Sequence, residues 1–274
     1  MIIIAFAAAA AKLCEAFWAA RKTLCILSYY LYNVGSTEKG AEGLKTLVII
    51  PAFNEQAAIV PFVEELKTVC PACDFVVIND CSRDETGALC RAHGYPTVNL
   101  PVNLGIGGAV QTGYLYALEN DYDIAVQMDG DGQHDPRDLA ALLAPIERGE
   151  ADLVIGSRFV TGEGFQSTPL RRLGIGILRR AVRLRTRHTV TDPTSGYRAA
   201  NRRVIELFAH DYAQDYPEPE SLVTALKSGA RVCDVPAAMR ARQGGASSIS
   251  EWKSVYYMLK VTLAVLLHTP HAKL

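Results

Sequence analysis

The chain has 274 residues, 49% of them apolar and 21% charged, which suits a globular protein with one large core or two small ones. Its formal net charge is only −1, so whole-molecule electrostatics give no reason to expect a nucleic-acid partner. Seven cysteines, at 14, 25, 70, 73, 81, 90 and 233, are odd in number and scattered, unlike a disulfide framework.

Residues 1–34 are unusually apolar. The run 2–11 is too short to cross a bilayer, and Lys12, Glu15, Arg21 and Lys22 interrupt the apolar residues after it. The positive residues that precede the apolar core of a secretory signal are missing. Residues 1–44 are therefore expected to be a helical extension and linker, lying on a membrane or on the protein body, or an extension upstream of the native start.

After a polar linker, 46–51 (Thr-Leu-Val-Ile-Ile-Pro) reads as a buried parallel strand. Asn54 and Glu55 leave it, and 56–69 carries helical periodicity. Cys70-Pro-Ala-Cys73 has the spacing of a redox pair or half a zinc site. With no second such pair or nearby histidine pair, a structural role in a reducing cytosol is the simpler reading. A second strand, 75–78, ends in Asn79-Asp80-Cys81-Ser82-Arg83-Asp84, where Ser82 or Asp84 is expected to cap a helix running to 93. Residues 97–100 form a third strand, and Asn103-Leu104-Gly105 opens a helix to about 119. The fourth strand, 124–128, runs into Asp129-Gly130-Asp131-Gly132-Gln133-His134-Asp135-Pro136. Glycine permits a tight fold there, so oxygens of Asp129, Asp131 and Gln133 can converge on one hard cation such as Mg²⁺ or Mn²⁺. An Asp/Gly turn between strand and helix is the plainer alternative.

Residues 137–148 are helical, and 152–156 is a fifth strand ending at Ser157-Arg158. The segment 170–188 holds seven arginines (171, 172, 179, 180, 183, 185, 187) among Leu173, Ile175, Ile177, Leu178, Val182 and Leu184. It reads either as a solvated basic helix or as one lying on an anionic membrane or acceptor. A turn at 192–198 delivers Arg198, and a helix over 217–227 places Glu218 and Glu220 in its first turn, where they suit the helix dipole or face a pocket. A strand at 231–235, a basic loop at 242–248 and an apolar helix at 254–268 complete the chain. Strands alternating with helices predict a mostly parallel sheet, and polar residues at five strand ends describe a pocket beyond those ends.

These motifs, together with Ser195-Gly196-Tyr197-Arg198, make the chain resemble family 2 glycosyltransferases of the GT-A fold over about 46–248. The polyprenyl-phosphate and dolichyl-phosphate mannose or glucose synthases are the branch most resembled. The resemblance implies an α/β class protein: one Rossmann-like α/β/α sandwich, with a nucleotide half at 45–136, an acceptor half at 137–248 and a terminal helix at 249–274. It implies that Pro51, Phe53, Glu55 and Asp80 line the base and ribose, with Asn103 also on the donor. Asp129 would meet the ribose-diphosphate side, Asp131 and Gln133 would hold Mg²⁺ or Mn²⁺, and Arg158 and Arg198 would serve phosphate. Arg242 and Ser247 would belong to a closing loop. Asn79 stands where many members have aspartate, and Ile106 where several have a basic residue.

The expected function is cation-dependent, inverting transfer of a sugar from a UDP- or GDP-sugar to a membrane-associated acceptor, with polyprenyl phosphate preferred. Glu218 or Glu220 would act as base only if the acceptor were a sugar hydroxyl, as in capsule, exopolysaccharide or lipopolysaccharide assembly. A cytoplasmic protein, peripheral at the inner face of the membrane, is expected on this reading. A nucleotidyltransferase would need a glycine-rich basic loop after the first strand, which is absent. A catalytically silent nucleotide-sugar binder is the alternative from another class.

Overall fold

The computed structural model describes residues 44–160, 169–240 and 251–269. Most of the expected N-terminal extension, the loop carrying Arg242 and Ser247, and residues 161–168 lie outside them.

Strand β1 (Thr46–Ala52) is buried along its whole length because both of its faces are covered. Val48, Ile50 and Ala52 alternate onto one face and meet Ile59, Phe62, Val63 and Leu66 of helix α1 (Ile59–Val69). On the other face, helix α3 (Gly105–Glu119) presses Gly113 against Ile49, where a methyl group would lie 2.2 Å from Ile49 Cγ2. Only glycine lets helix and strand approach so closely.

Strands β2 (Asp74–Asn79), β3 (Thr97–Asn99), β4 (Ile124–Gln127), β5 (Leu153–Ser157), β6 (Arg198–Asn201) and β7 (Val232–Pro236) complete a seven-stranded sheet in the order β3-β2-β1-β4-β6-β5-β7. All neighbours run parallel except around β6, which is antiparallel to both β4 and β5. The chain runs outward from β1 to β3 and returns to place β4 on the other side of β1. A crevice opens at that switch point, beyond the carboxyl ends of β1 and β4. The expected α/β sandwich with a largely parallel sheet is the fold observed.

Helix α2 (Thr86–Ala92) has Glu85 rather than Ser82 or Asp84 at its N-cap, with no side-chain cap bond there, while Asp84 one residue earlier accepts the Thr86 N–H at 3.0 Å. Ser82 serves elsewhere, accepting the Asn54 N–H at 3.0 Å. Helix α4 (Leu139–Glu147) comes after a single 3₁₀ turn at Pro136–Asp138. Helix α5 (Pro169–Thr186) is the basic segment. Strand β6 and helix α6 (Arg202–His210) extend beyond what the sequence suggests, since its turn signals end at Arg198 and announce nothing regular after it. Four residues beginning with an arginine carry no period-2 signal, and β6 exists because β4 and β5 leave a slot between them. Asn201 then caps α6, accepting the Val204 N–H at 3.1 Å.

Helices α7 (Pro217–Lys227) and α8 (Glu251–Leu267) close the molecule. Helix α8 lies along α5, with Met258 Cγ 2.8 Å from where a Gly174 methyl would sit. Cys70 and Cys73, whose spacing is that of a redox pair or half a zinc site, are joined by a disulfide, a bond that the expected reducing cytosol does not favour. Among the described residues no helix is long and apolar enough to cross a membrane.

Candidate active site

At the switch point lies a cavity of about 450 Å³. Pro51, Ala52, Phe53 and Glu55 line it from the end of β1, Asp80 from the end of β2, and Asp129, Gly130 and Asp131 from the end of β4. Asn103, Gly105, Ile106 and Ala109 complete it from the start of α3. Seven of the residues expected at the donor or cation thus share one space: Pro51, Phe53, Glu55, Asp80, Asn103, Asp129 and Asp131. Ile106 lines the wall as an exposed apolar side chain, so the cavity carries no charge at the position where several family members have a basic residue.

The loops around the cavity are stitched to one another. Arg83 N–H donates to Asn54 Oδ1 at 2.8 Å, Glu55 N–H to Thr86 Oγ1 at 2.9 Å, and Glu85 N–H to Gln56 Oε1 at 3.1 Å. Asn54 adopts φ +58°, which a short polar side chain tolerates best. Asp80 is buried, and its two oxygens accept the N–H groups of Leu104 and Gly105 at 2.6 and 2.9 Å. One carboxylate therefore fixes the amino end of α3 while lining the cavity.

The acidic loop is equally constrained. Gly130 N–H donates to the Pro51 carbonyl at 3.2 Å, which ties the loop to β1, and Gly132 turns the chain at φ +74°. Asp131, buried, accepts the Gln133 N–H at 3.0 Å through Oδ1. The Gln133 carbonyl accepts the Arg240 N–H at 2.9 Å, and His134 forms a β-bridge with Met239. Burial works against the Asp135 carboxylate, yet Arg137 and Arg240 hold it down to about 2. Arg240 also grips Glu65 of α1 at 2.6 and 2.7 Å. The segment after β7 is thus clamped to the acidic loop.

Among the described residues no group of three His, Cys, Asp or Glu side chains gathers as a closed metal cage. Two carboxylates on one open wall instead suit a cation that takes its remaining ligands from a diphosphate and water, the usual situation for Mg²⁺. The donor set fits a hard divalent ion in that way.

The other expected residues lie apart from this wall. Arg158 is fixed by Asp192 through Nε (2.7 Å) and Nη2 (2.9 Å), with Thr194 Oγ1 accepting at 3.0 Å. Arg198 is fully buried, donating to the Ser195 carbonyl at 2.7 Å, Ser221 Oγ at 3.0 Å and the Pro193 carbonyl at 3.2 Å. Glu218 sits within electrostatic reach of both sides. Burial raises its carboxyl, Arg198 draws it back, and Asp129 adds to the rise. Glu220 turns toward the end of α8, with Oε2 3.6 Å from His268 Nδ1.

Burial, with help from Asp215, pushes the Glu220 carboxyl up to about 7 from an ordinary 4.5. The folded protein therefore binds more protons than the unfolded chain between those values, and stability falls as pH rises through that window. Replacing Glu220 with glutamine should raise the thermal midpoint at pH 8 and leave it nearly unchanged at pH 4.5. Equal effects at both pH values would refute the raised carboxyl.

The sequence missed Gln127, His134 and Tyr212. Tyr212 O–H donates to Gln127 Oε1 at 3.3 Å, Gln127 Nε2 faces Asp129 Oδ1 at 3.4 Å, and Asp129 N–H donates to His134 Nδ1 at 3.0 Å. A glutamine closing the apolar strand Ile-Ala-Val was the one available signal.

With this geometry in place, similarity to known proteins identifies the family. The model of glycosyl transferase family 2 matches residues 47–208. Polyprenol monophosphomannose synthase of Mycolicibacterium smegmatis is 33% identical over 222 residues, covering 75% of this chain and 81% of that protein. Undecaprenyl-phosphate mannosyltransferase of Micrococcus luteus is 34% identical over 218 residues, covering 76% and 88%. In fold, the chain resembles glucosyl-3-phosphoglycerate synthase of Mycobacterium tuberculosis, solved with Mn²⁺, uridine diphosphate and phosphoglyceric acid, at a TM-score of 0.63 and 24% identity, covering 82% and 78%. With its sheet, its acidic loop and this extent of matching sequence, the chain belongs to the family 2 glycosyltransferases and is a GT-A enzyme using a nucleotide-sugar donor.

Proposed function

We propose that the protein transfers a hexose, with inversion, from a UDP- or GDP-sugar to polyprenyl phosphate at a membrane surface, and that Mg²⁺ or Mn²⁺ is required. The observation that carries this reading is the convergence of Asp80, Asp129 and Asp131 on one cavity at the sheet's switch point, with the exposed ring of Phe53 at its edge. Phe53 offers a face for the base, Glu55 and Asp80 accept from base or ribose hydroxyls, and Asn103 lies toward the diphosphate. Asp129, Asp131 and Gln133 are the candidate cation ligands. The ion would offset charge developing on the departing diphosphate.

The acceptor side would be built from Arg158, Arg198 and Glu218, whereas Glu220, expected beside them, faces His268 instead. The Asp192 carboxylate fixes the plane of the Arg158 guanidinium while offsetting its charge, so Arg158 would offer a phosphate an oriented N–H donor rather than a free cation. Arg198 acts through the field it imposes on Glu218 rather than by contact. Arg242 and Ser247 are proposed as contacts from the loop beyond Arg240. Polyprenyl phosphate is already an anion and needs no base. The raised carboxyl of Glu218, within the field of Asp129, favours a second reading in which it deprotonates a sugar hydroxyl. Two relatives are named for polyprenyl acceptors, which favours the first.

Helices α5 and α8 support a membrane surface. Leu173, Ile177 and Leu184 of α5 are exposed beside the exposed Arg172, Arg180 and Arg183, and Leu263 and Leu267 of α8 are exposed as well. Leucines that insert and arginines that meet headgroups are the pattern of an interfacial helix. The protein should float with vesicles containing phosphatidylglycerol and not with pure phosphatidylcholine, and Leu184→Glu with Leu267→Glu should reduce the bound fraction several-fold. Equal binding by the double variant would remove these helices from the reading.

The test of function is direct. A thermal-shift panel of UDP, GDP, CDP and dTDP with Mn²⁺ identifies the nucleotide, because a ligand of the native state raises the midpoint. The matching sugar nucleotide is then offered polyprenyl phosphate and a free glycan. Transfer to the glycan alone, lost in Glu218→Gln, would replace the first reading with the second.

A further inference from the structure

The resemblance and the cavity single out Asp129, but not what holds it. Its carboxylate side chain is 37% exposed at the cavity wall, whereas the groups behind it are buried. Gln127 is wholly buried, and Tyr212 O–H donates to its Oε1, so the amide is oriented with Nε2 toward Asp129 Oδ1. His134 is also buried, with its ring stacked on Tyr197 at 4.8 Å and 15°. Its Nδ1 accepts the Asp129 N–H, so in the neutral ring the proton lies on Nε2, which faces Asp129 Oδ2 at 3.8 Å. On the remaining side Gly196 packs so closely that a methyl there would sit 3.3 Å from Oδ2 and 3.0 Å from Gln127 Nε2.

The geometry points to Gln127 and His134 as positioning residues that aim the Asp129 carboxylate into the cavity. This rests on the reading of Asp129 as a ligand of the nucleotide-bound cation. Gln127 is a neutral donor to Oδ1, while the His134 ring accepts the Asp129 N–H and stands 3.8 Å from Oδ2, beyond hydrogen-bond reach. They position Asp129 without cancelling its charge, as an arginine or lysine would, and leave its carboxylate free to meet a divalent ion. His134 adds a hold on the main chain of Asp129 itself, which an amide or hydroxyl on the carboxylate alone cannot supply. Tyr212 acts one step further back, by keeping the Gln127 amide from turning its oxygen toward Asp129.

The experiment is Mn²⁺ titration followed by electron paramagnetic resonance, with UDP or GDP present, whichever stabilises the wild-type protein. His134→Phe keeps the ring stack and removes both nitrogens. His134→Asn restores an acceptor near the Nδ1 position. Gln127→Met keeps volume without polarity, and Tyr212→Phe leaves Gln127 in place but frees its amide. We expect Mn²⁺ affinity to fall roughly tenfold or more in His134→Phe and Gln127→Met, the range found when partners behind a metal ligand are removed. Tyr212→Phe should fall several-fold, and His134→Asn should recover most of the loss of His134→Phe. Thermal midpoints without ligand identify any variant that fails to fold, and the remaining variants then decide. Affinities near wild type in the folded variants, beside a strong loss in Asp129→Ala, would overturn the positioning role. Undiminished binding in Asp129→Ala would instead overturn the reading of Asp129 on which it rests.

Discussion

Asp131→Ala should reduce transfer at saturating donor by at least roughly a hundredfold, with no recovery when Mn²⁺ or Mg²⁺ is raised into the millimolar range. The size of this effect comes from the site. Asp131 is buried at the cavity wall, and Asp129 is the other carboxylate of the acidic motif on that wall. An ion held by two protein carboxylates and a diphosphate loses a large share of its protein charge when one is removed. Asp131 also accepts the Gln133 N–H at 3.0 Å, so alanine disturbs the loop as well as the charge. Asp131→Asn separates the two contributions, since its amide oxygen can still accept that bond. If Asp131→Asn loses activity like alanine while its thermal midpoint stays near wild type, the charge is responsible. Activity that survives excess chelator in the wild-type protein would refute the cation requirement altogether.

The second large effect is expected at Asp80. Its carboxylate accepts two backbone N–H groups at the start of α3 while lining the nucleotide cavity. Alanine would leave the buried Leu104 N–H without its acceptor, at a cost of about 1–3 kcal/mol, while the Gly105 N–H keeps Asn103 Oδ1 at 3.1 Å. Helix capping losses of about 0.5–2 kcal/mol describe part of the same effect rather than an addition to it. For a domain of this size, a net loss of about 1–3 kcal/mol lowers the thermal midpoint by roughly 2–12 °C. Nucleotide binding should fall with it, because α3 and the turn before it supply Asn103, Gly105 and Ile106 to the same cavity. Asp80→Asn retains one acceptor and should lose about half as much stability. A midpoint unchanged in Asp80→Ala would show that α3 does not depend on this cap.

These two aspartates differ in how legible they were. Asp131 stands in a glycine-punctuated acidic stretch after an apolar strand, a local pattern that announces its chemistry. Asp80 was legible as a pocket residue, but its second task, holding an amino terminus that begins 24 residues later, depends on how β2 and α3 meet. Arg198 shows the same division. Its delivery by a turn was readable, while its burial against Ser195, Pro193 and Ser221 was not, since those partners meet only once β6 is inserted into the sheet. Glu218 and Glu220 read alike in sequence, two residues apart at one helix start. The fold separates them, bringing Glu218 into the field of Asp129 and turning Glu220 to His268 at the far end of α8.

What the sequence determined by itself was the alternation of strand and helix, the identity of the acidic loop and the family. Each is carried by local signals: apolar runs of strand length, glycines where the backbone must turn, and carboxylates at fixed spacing. Only the tertiary structure decided that β6 runs antiparallel between β4 and β5, that Gln127, His134 and Tyr212 stand behind Asp129, and that α5 and α8 turn leucines and arginines outward together. Those features join residues distant in the chain, and their energies come from burial and hydrogen bonds that exist only after the layers have packed.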